Sequence, residues 1–371
     1  MKVEREIAGF TLPFAAGILL VSLAGNHFYS SHHVLASISF GAIAVMLIYC
    51  LYPSHKNLDT IGRAILIGGL ALCLGIFCGE CGEILSVSSL NGTSAIWFKG
   101  YGESMQAGVD SIPFTHRKTN AVIKALLTGE RADIPPSLTA AFRDSGASHI
   151  LALSGFHLGI IYGIVRLLLS TLGNRRTALI VRAIITIVVC GFYVMATGAG
   201  ASIVRAFLFI ILHETASLTH RHHSTGNVLL TALFIQLVIT PGAITSAGFQ
   251  LSYAAMAGIA FIFPWIRDLW PGNPHKDIGF TKGVRWVWNS AAMSIACQLT
   301  TGPLSWIYFH SFPQHFLLTN LIVLPLSSLI IPAALATLTL HALGLCPAIM
   351  LSATERLVST MIRALEIIAP M

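Results

Sequence analysis

Residues 178–218 read ALIVRAIITIVVCGFYVMATGAGASIVRAFLFIILHETASL. These are two membrane-spanning lengths in succession, since a helix needs about 20 apolar residues to cross the hydrocarbon core. Between them stands no polar loop, only Ala196-Thr-Gly-Ala-Gly-Ala-Ser202. A turn of glycine, alanine, serine and threonine has almost nothing to anchor it in water. A re-entrant or broken-helix element is therefore expected there, facing protein or a water-filled cavity.

The rest of the chain agrees with that stretch. Of 371 residues, 55% are hydrophobic and 10% charged, and the mean hydropathy is +0.77, against roughly 25% charged residues in an ordinary soluble domain. Long apolar runs without period-two alternation favour helices over a barrel. The expected fold class is an all-α polytopic membrane protein with about ten transmembrane helices, broken or re-entrant elements and a C-terminal amphipathic helix.

In chain order the spans are placed at Ile7–Gly25, Val34–Tyr52, Ile61–Cys78, Ile150–Leu172, the two halves of 178–218, Val228–Thr240 and Ala247–Trp265. Trp286–Phe309 follows, interrupted by Gly302-Pro303, and then Phe316–Leu343, bent by Pro325 and Pro332. The tail Leu351–Ile368 sets Glu355, Arg356, Arg363 and Glu366 opposite an apolar side, which suits a helix lying in the membrane interface.

The distribution of basic residues orients this map. With the N-terminus inside, Lys56, Arg63, Arg175, Arg176, Arg221, Arg267, Lys276, Lys282, Arg285, Arg356 and Arg363 fall in the cytoplasm, and both termini are cytoplasmic. The opposite loops at 26–33, 199–202, 241–246 and 310–315 hold no Lys or Arg. The segment Gly79–Ser148 falls outside yet carries Lys99, Arg117, Lys118, Lys124, Arg131 and Arg143. Its charge is not explained by topology, and a basic outer surface gathers anions. Two short amphipathic helices are expected within it, Thr119–Thr128 and Pro136–Asp144, the second started by Pro135-Pro136.

Where this segment turns apolar it reads Ser148-His-Ile-Leu-Ala-Leu-Ser-Gly-Phe-His-Leu-Gly159. Ser154 and His157 share a helix face at i and i+3, a pairing that suits nucleophilic hydrolysis or plain packing. No acid partner lies nearby in sequence. His149 and His157 stand about 12 Å apart on a continuous helix, too far to share a metal without a break. Arg166 and Arg205 lie within apolar runs, where arginine is unfavourable by ~2.5–3.5 kcal/mol and marks a site unless it snorkels. Glu214, more than two turns past Arg205, is assigned to neither. Cys78-Gly-Glu-Cys81 has no second cysteine pair and is read as structural. His32-His33 and His220–His223 are read as solvated loops. No metal and no cofactor are expected.

Several motifs in one order carry a resemblance. Leu127-Thr-Gly-Glu-Arg131, Ala141-Phe-Arg143 with Gly146, and His149-Ile-Leu-Ala-Leu-Ser-Gly-Phe-His157 come first. Gly200-Ala-Ser-Ile-Val-Arg-Ala206, Pro241 with Gly248-Phe-Gln-Leu-Ser-Tyr253, Gln298 with Pro303, and Asn320 with Pro325 follow. This set resembles the competence domain of the ComEC family, bacterial inner-membrane DNA-uptake proteins, over about 118–345. The implied organisation is a three-helix membrane segment at 1–78, a short extracytoplasmic loop region at 79–117, a channel domain at 118–345 and an interfacial amphipathic tail at 346–371.

The resemblance implies a non-enzymatic channel component passing single-stranded DNA into the cytosol during natural transformation. The path residues it implies are Arg131 and Arg143 at the mouth, Arg205 at depth, and His149, Ser154, Gly155, His157, Gly198, Gly200, Gln250, Gln298 and Asn320. A single strand needs spaced cations and a wet, irregular helix environment rather than sequence-reading groups. The chain departs from the fuller pattern of the family. Gly79–Ser111 is too short for its OB-like barrel, and after Leu345 there is no His-x-His-x-Asp-His motif of a metallo-β-lactamase-like nuclease. Besides the strand and membrane lipids, the expected partners are therefore a separate nuclease and a DNA translocase. Two rival readings are a transporter of a small anionic or lipid-like solute and an intramembrane serine hydrolase built on Ser154 and His157.

Overall fold

The computed structural model describes residues 2–24, 38–39, 41–43, 46, 60–85, 93–173, 175–218, 224–271, 279–310 and 314–369. Most of the expected span Val34–Tyr52, both histidine clusters and the side chain of Cys81 lie outside the described residues. The described helices are α1 Lys2–Ala24, α2 Thr60–Leu85, α3 Thr93–Ser111, α4 Arg117–Thr128, α5 Pro136–Asp144, α6 Ser148–Leu151, α7 Gly155–Leu168, α8 Arg176–Ala196 and α9 Ala201–Leu218. They continue with α10 Thr225–Ile239, α11 Ala247–Ala257, α12 Phe263–Arg267, α13 Phe280–Phe309, α14 Phe316–Ala342 and α15 Ala348–Ile368. No strand occurs among the described residues. Six candidate spans, in α1, α7 with its continuation to Leu172, α8, α9, Ala247–Arg267 and α14, are long and apolar enough to cross a membrane, and α2 and α10 add shorter apolar helices. The chain is a multi-pass all-α membrane protein.

Contacts divide it into two units, one of residues 1–91 and 221–260, the other of 92–220 and 261–371. In the first, α1 and α2 approach at backbone distance through paired glycines. A Cβ on Gly17 would lie 2.3 Å from the Leu72 carbonyl oxygen, and one on Gly75 would lie 2.0 Å from that of Phe14. Small residues of this kind let membrane helices pack closely where lipid supplies no hydrophobic drive. Phe14, Ile18, Ala71, Leu237 and Phe249 fill the core of this unit.

The second unit is built around α4, α5, α14 and α15, whose Val122, Leu126, Phe142, Ile330, Val358 and Met361 are buried together. The tail helix α15 is amphipathic, as expected, but its apolar face is taken up by α4, α5 and α14 rather than left for a lipid interface. A second cluster, including Leu158, Ile161, Cys190, Tyr193, Ile203 and Ile210, joins α7, α8 and α9.

Several expectations change. Residues 93–111, read as loop, form a helix of 19 residues. Its glycines argue against helix in isolation, but Gly102 lets α3 close on α8, where a Cβ would lie 2.3 Å from the Ala196 carbonyl oxygen. Gly302-Pro303 does not interrupt α13, which runs unbroken with Pro303 inside it. The turn 197–200 joins two helices that are each of spanning length. There the Ala199 N–H reaches the Val194 carbonyl and the Gly198 N–H that of Met195, the paired bonds of a Schellman stop, with Gly198 left-handed at φ 82°. The break expected beside Gly155 is found, at Ala152–Ser154 between α6 and α7.

Candidate functional site

The Leu127-Thr-Gly-Glu-Arg131 motif is a helix stop followed by a clamped turn. Gly129 ends α4 at φ 79° with its N–H on the Ala125 carbonyl. Glu130 Oε1 accepts from the backbone N–H groups of Arg131 and Ala132, both at 2.9 Å. The Tyr193 hydroxyl donates to the Leu127 carbonyl at 2.8 Å and ties the motif to α8. Lys124, with its side chain 9% exposed, donates to Asp110 at 2.8 Å and also to Asp133. Burial of its ammonium opposes the charge, but the two carboxylates outweigh that and hold its pKa above the ordinary value. Arg131 is left exposed, and so is Arg143, whose Nε pairs with Asp144 at 3.0 Å.

After α5, Gly146 and Ala147 form another Schellman stop on Arg143 and Phe142, and α6 is a single turn. The chain then extends to Ser154, the N-cap of α7 at φ −124° and ψ 171°. Ser154 and His157 form a capping box in which histidine takes the place usually held by Glu or Gln. His157 Nδ1 lies 3.3 Å from the Ser154 backbone nitrogen and 3.0 Å from Ser154 Oγ. An Nδ1 that accepts the backbone N–H is unprotonated, so the neutral ring carries its proton on Nε2. His157 is fully buried, and among the described residues this Nε2 has no hydrogen-bond partner. A buried donor without an acceptor is unfavourable by roughly 1–3 kcal/mol.

Across from this cap, a Cβ on Gly155 would lie 3.1 Å from the Cβ of Ala206, so α7 and α9 are in contact at the first turn of α7. Arg205, the neighbour of Ala206, is 3% exposed. At the start of α14, Thr319 donates to the Ser145 carbonyl at 2.6 Å, and the adjacent Asn320 Oδ1 is buried with no partner among the described residues. His149 Nδ1 contacts the Gly146 carbonyl at 3.1 Å from an exposed position. Ser154, Gly155 and His157 thus share one turn, facing the turn of α9 that holds Arg205. Gln298 is half-buried on α13. Gln250 belongs to the other unit, where its Nε2 donates to the Ile244 carbonyl at 2.9 Å. Gly198 serves the helix stop, and Gly200 precedes α9.

Glu214 has partners that sequence reading left unassigned. It is 1% exposed, accepts the Tyr162 hydroxyl at 2.8 Å, and meets Arg166 Nη1 at 3.4 Å. The signal was present as a lone carboxylate in an apolar span, but its partners lie 48 and 52 residues away. Among the described residues no group of three or more His, Cys, Asp or Glu converges as metal ligands. The Ser154–His157 contact has the spacing of a nucleophile and base, yet no carboxylate orients the far ring nitrogen among the described residues.

A family model described as "Competence protein" matches residues 126–371. "Uncharacterized protein YcaI" of Escherichia coli (strain K12) is 26% identical over 249 residues, 66% of this chain and 31% of that protein. "ComE operon protein 3" of Bacillus subtilis (strain 168) is 25% identical over 230 residues, 61% of this chain and 27% of that protein. "Recombination protein 2" of Haemophilus influenzae (strain ATCC 51907 / DSM 11121 / KW20 / Rd) is 22% identical over 219 residues, 57% of this chain and 27% of that protein. The chain thus spans under a third of the length of each of these relatives. No solved structure matches.

Proposed function

As the chain belongs to the competence protein family, we propose that it forms part of a bacterial inner-membrane path for single-stranded DNA during natural transformation. The observation that carries this reading is the buried His157 Nε2 donor, without a partner among the described residues, on the turn of α7 that faces the turn of α9 holding Arg205. A phosphodiester oxygen is an acceptor for such a donor, and the guanidinium supplies the opposite charge. Exposed Arg131 and Arg143 gather the strand before it reaches this point. Both termini face the cytoplasm, and a separate nuclease and translocase degrade the complementary strand and pull the other.

The test is uptake of labelled DNA by cells carrying Arg205→Ala or Arg205→Lys, with membrane insertion checked by immunoblot. Arg205→Ala should abolish uptake and Arg205→Lys should retain part of it; wild-type uptake in the alanine variant would overturn the reading. Oligonucleotide binding to the purified chain should weaken with salt at a log-log slope of about 0.7 per phosphate neutralised. A slope near that of a single charge would point to a small anionic solute instead. The 3.0 Å Ser154–His157 contact favours one second reading, an intramembrane serine hydrolase. Covalent labelling by a fluorophosphonate probe, lost in Ser154→Ala, would establish it.

A further inference from the structure

The α7–α8 corner holds a second polar group, at the opposite end of these helices from Ser154. Arg166 lies in the last turn of α7 and has Glu214 as its counter-ion. Arg182, near the start of α8, is 9% exposed. Its Nη1 donates to the Gly173 carbonyl at a long 3.5 Å, and its buried Nε has no hydrogen-bond partner among the described residues. One turn further, the fully buried Thr186 hydroxyl is likewise without a partner there. Arg175 and Arg176 stand exposed at the beginning of α8. From Ser145 to His213 the chain has no Asp or Glu, so this corner is strongly cationic.

The apolar surroundings narrow the class of anion. Leu167 and Leu168 at the end of α7 and Leu172 on the 3-10 turn Leu169–Leu172 that follows it are exposed, and Ile180, Val181 and Ile184 are exposed on the neighbouring turns of α8. Exposed leucine and isoleucine beside three arginines are what an acyl chain and a phosphate require together. Basic pockets between helices on the cytoplasmic side of a membrane bind anionic lipid headgroups in this manner, and the positive-inside rule places Arg175 and Arg176 on that side. We infer that the α7–α8 corner is a binding site for an anionic phospholipid, its phosphate held by Arg182 and Arg176 and its acyl chain lying over Leu167, Leu168 and Leu172. Gly173, which ends the 3-10 turn and meets the guanidinium through that long contact, is the part that shifts to admit the headgroup.

The experiment uses the full chain, delipidated in neutral detergent, with phosphatidylglycerol and phosphatidylcholine titrated separately and retention read by native mass spectrometry. Wild-type protein should retain phosphatidylglycerol preferentially. Arg182→Gln should weaken that retention about fivefold, the effect of one basic residue at an anionic surface, with phosphatidylcholine unchanged, and Thr186→Val should weaken it less. Should Arg182→Gln fail to fold, Arg176→Gln, on the surface, decides the matter by the same readout. Equal retention of the two lipids by wild type, or unchanged phosphatidylglycerol retention in these arginine variants, would overturn the inference. Displacement of the lipid by inorganic phosphate alone, or by a short single-stranded oligonucleotide, would reassign the site and overturn it equally.

Discussion

Ser154 and His157 hold each other across the first turn of α7, with Ser154 Oγ 3.0 Å and the Ser154 backbone nitrogen 3.3 Å from the same imidazole Nδ1. One ring nitrogen is thereby used for capping and the other is left to face the protein interior. The two roles separate by substitution. Gln is a usual residue at this position of a capping box, so His157→Gln should keep the unfolding free energy within about 1 kcal/mol of wild type while removing the ring donor. DNA uptake should then fall at least tenfold. Ser154→Ala should show the converse, a loss of about 1 kcal/mol of stability with uptake largely kept. Unchanged uptake in His157→Gln would reduce the histidine to a cap.

Gly155 sets how closely α7 meets α9. A Cβ there would lie 3.1 Å from the Ala206 Cβ, so Gly155→Ala requires a shift of a few tenths of an ångström and Gly155→Val considerably more. Overpacking of this kind costs about 1–3 kcal/mol. Thermal unfolding should show a modest loss for Gly155→Ala, a larger one for Gly155→Val, and recovery of the alanine variant when Ala206→Gly is added. Additive effects in that double-mutant cycle would mean that the two helices are not coupled here.

Lys124 gives a prediction at alkaline pH. Its folded pKa lies above the ordinary 10.5 because the carboxylates of Asp110 and Asp133 outweigh desolvation. A group with a raised folded pKa contributes stability that is fully present below its unfolded value and is lost as pH rises through the folded one. Lys124→Met should therefore be less stable than wild type by about 1–2 kcal/mol at pH 7. The gap should stay constant to about pH 10 and close only above it. A gap that closes between pH 7 and 9 would show that the ion pairs are not its source.

What the sequence made legible divides along chain distance. Local proline and apolar spacing places the second amphipathic helix at Pro136–Asp144, as found, and starts the first at Thr119, two residues after its observed beginning at Arg117. The role of Gly198 was not legible, because glycine reads alike in a pore turn and in a Schellman stop. Helix α3 is hidden by its own glycines, of which Gly102 shows its use only against the Ala196 carbonyl. The apolar stripe of α15 was correctly seen as a stripe, but periodicity does not say whether lipid or protein covers it. Within the candidate site, Ser154, Gly155, His157 and Arg205 were named from sequence. A break beside Gly155 is legible too, but that His157 caps the helix starting there through one nitrogen is not, because histidine takes the place that Glu or Gln usually holds in a capping box.

Glu214 joins α9 to α7 across about fifty residues of chain, and it is the strictest test of the bundle. Its carboxylate is 1% exposed between the Tyr162 hydroxyl and Arg166, whose side chain is 30% exposed. Removing one partner of a buried ion pair typically costs 3–5 kcal/mol, because the other charge is left buried. Here the surviving guanidinium reaches the surface, so Glu214→Gln, which still accepts from Tyr162, should cost only about 1–3 kcal/mol. Glu214→Leu also strips the tyrosine of its acceptor and should be worse than Glu214→Gln. Adding Tyr162→Phe and Arg166→Met to Glu214→Leu should restore most of the loss, since a matched apolar layer replaces a buried polar one at little net change. Thermal unfolding of this series distinguishes the outcomes: failure of the triple variant to recover would mean that the carboxylate organises more of the α7–α9 contact than its bonds to Tyr162 and Arg166 account for.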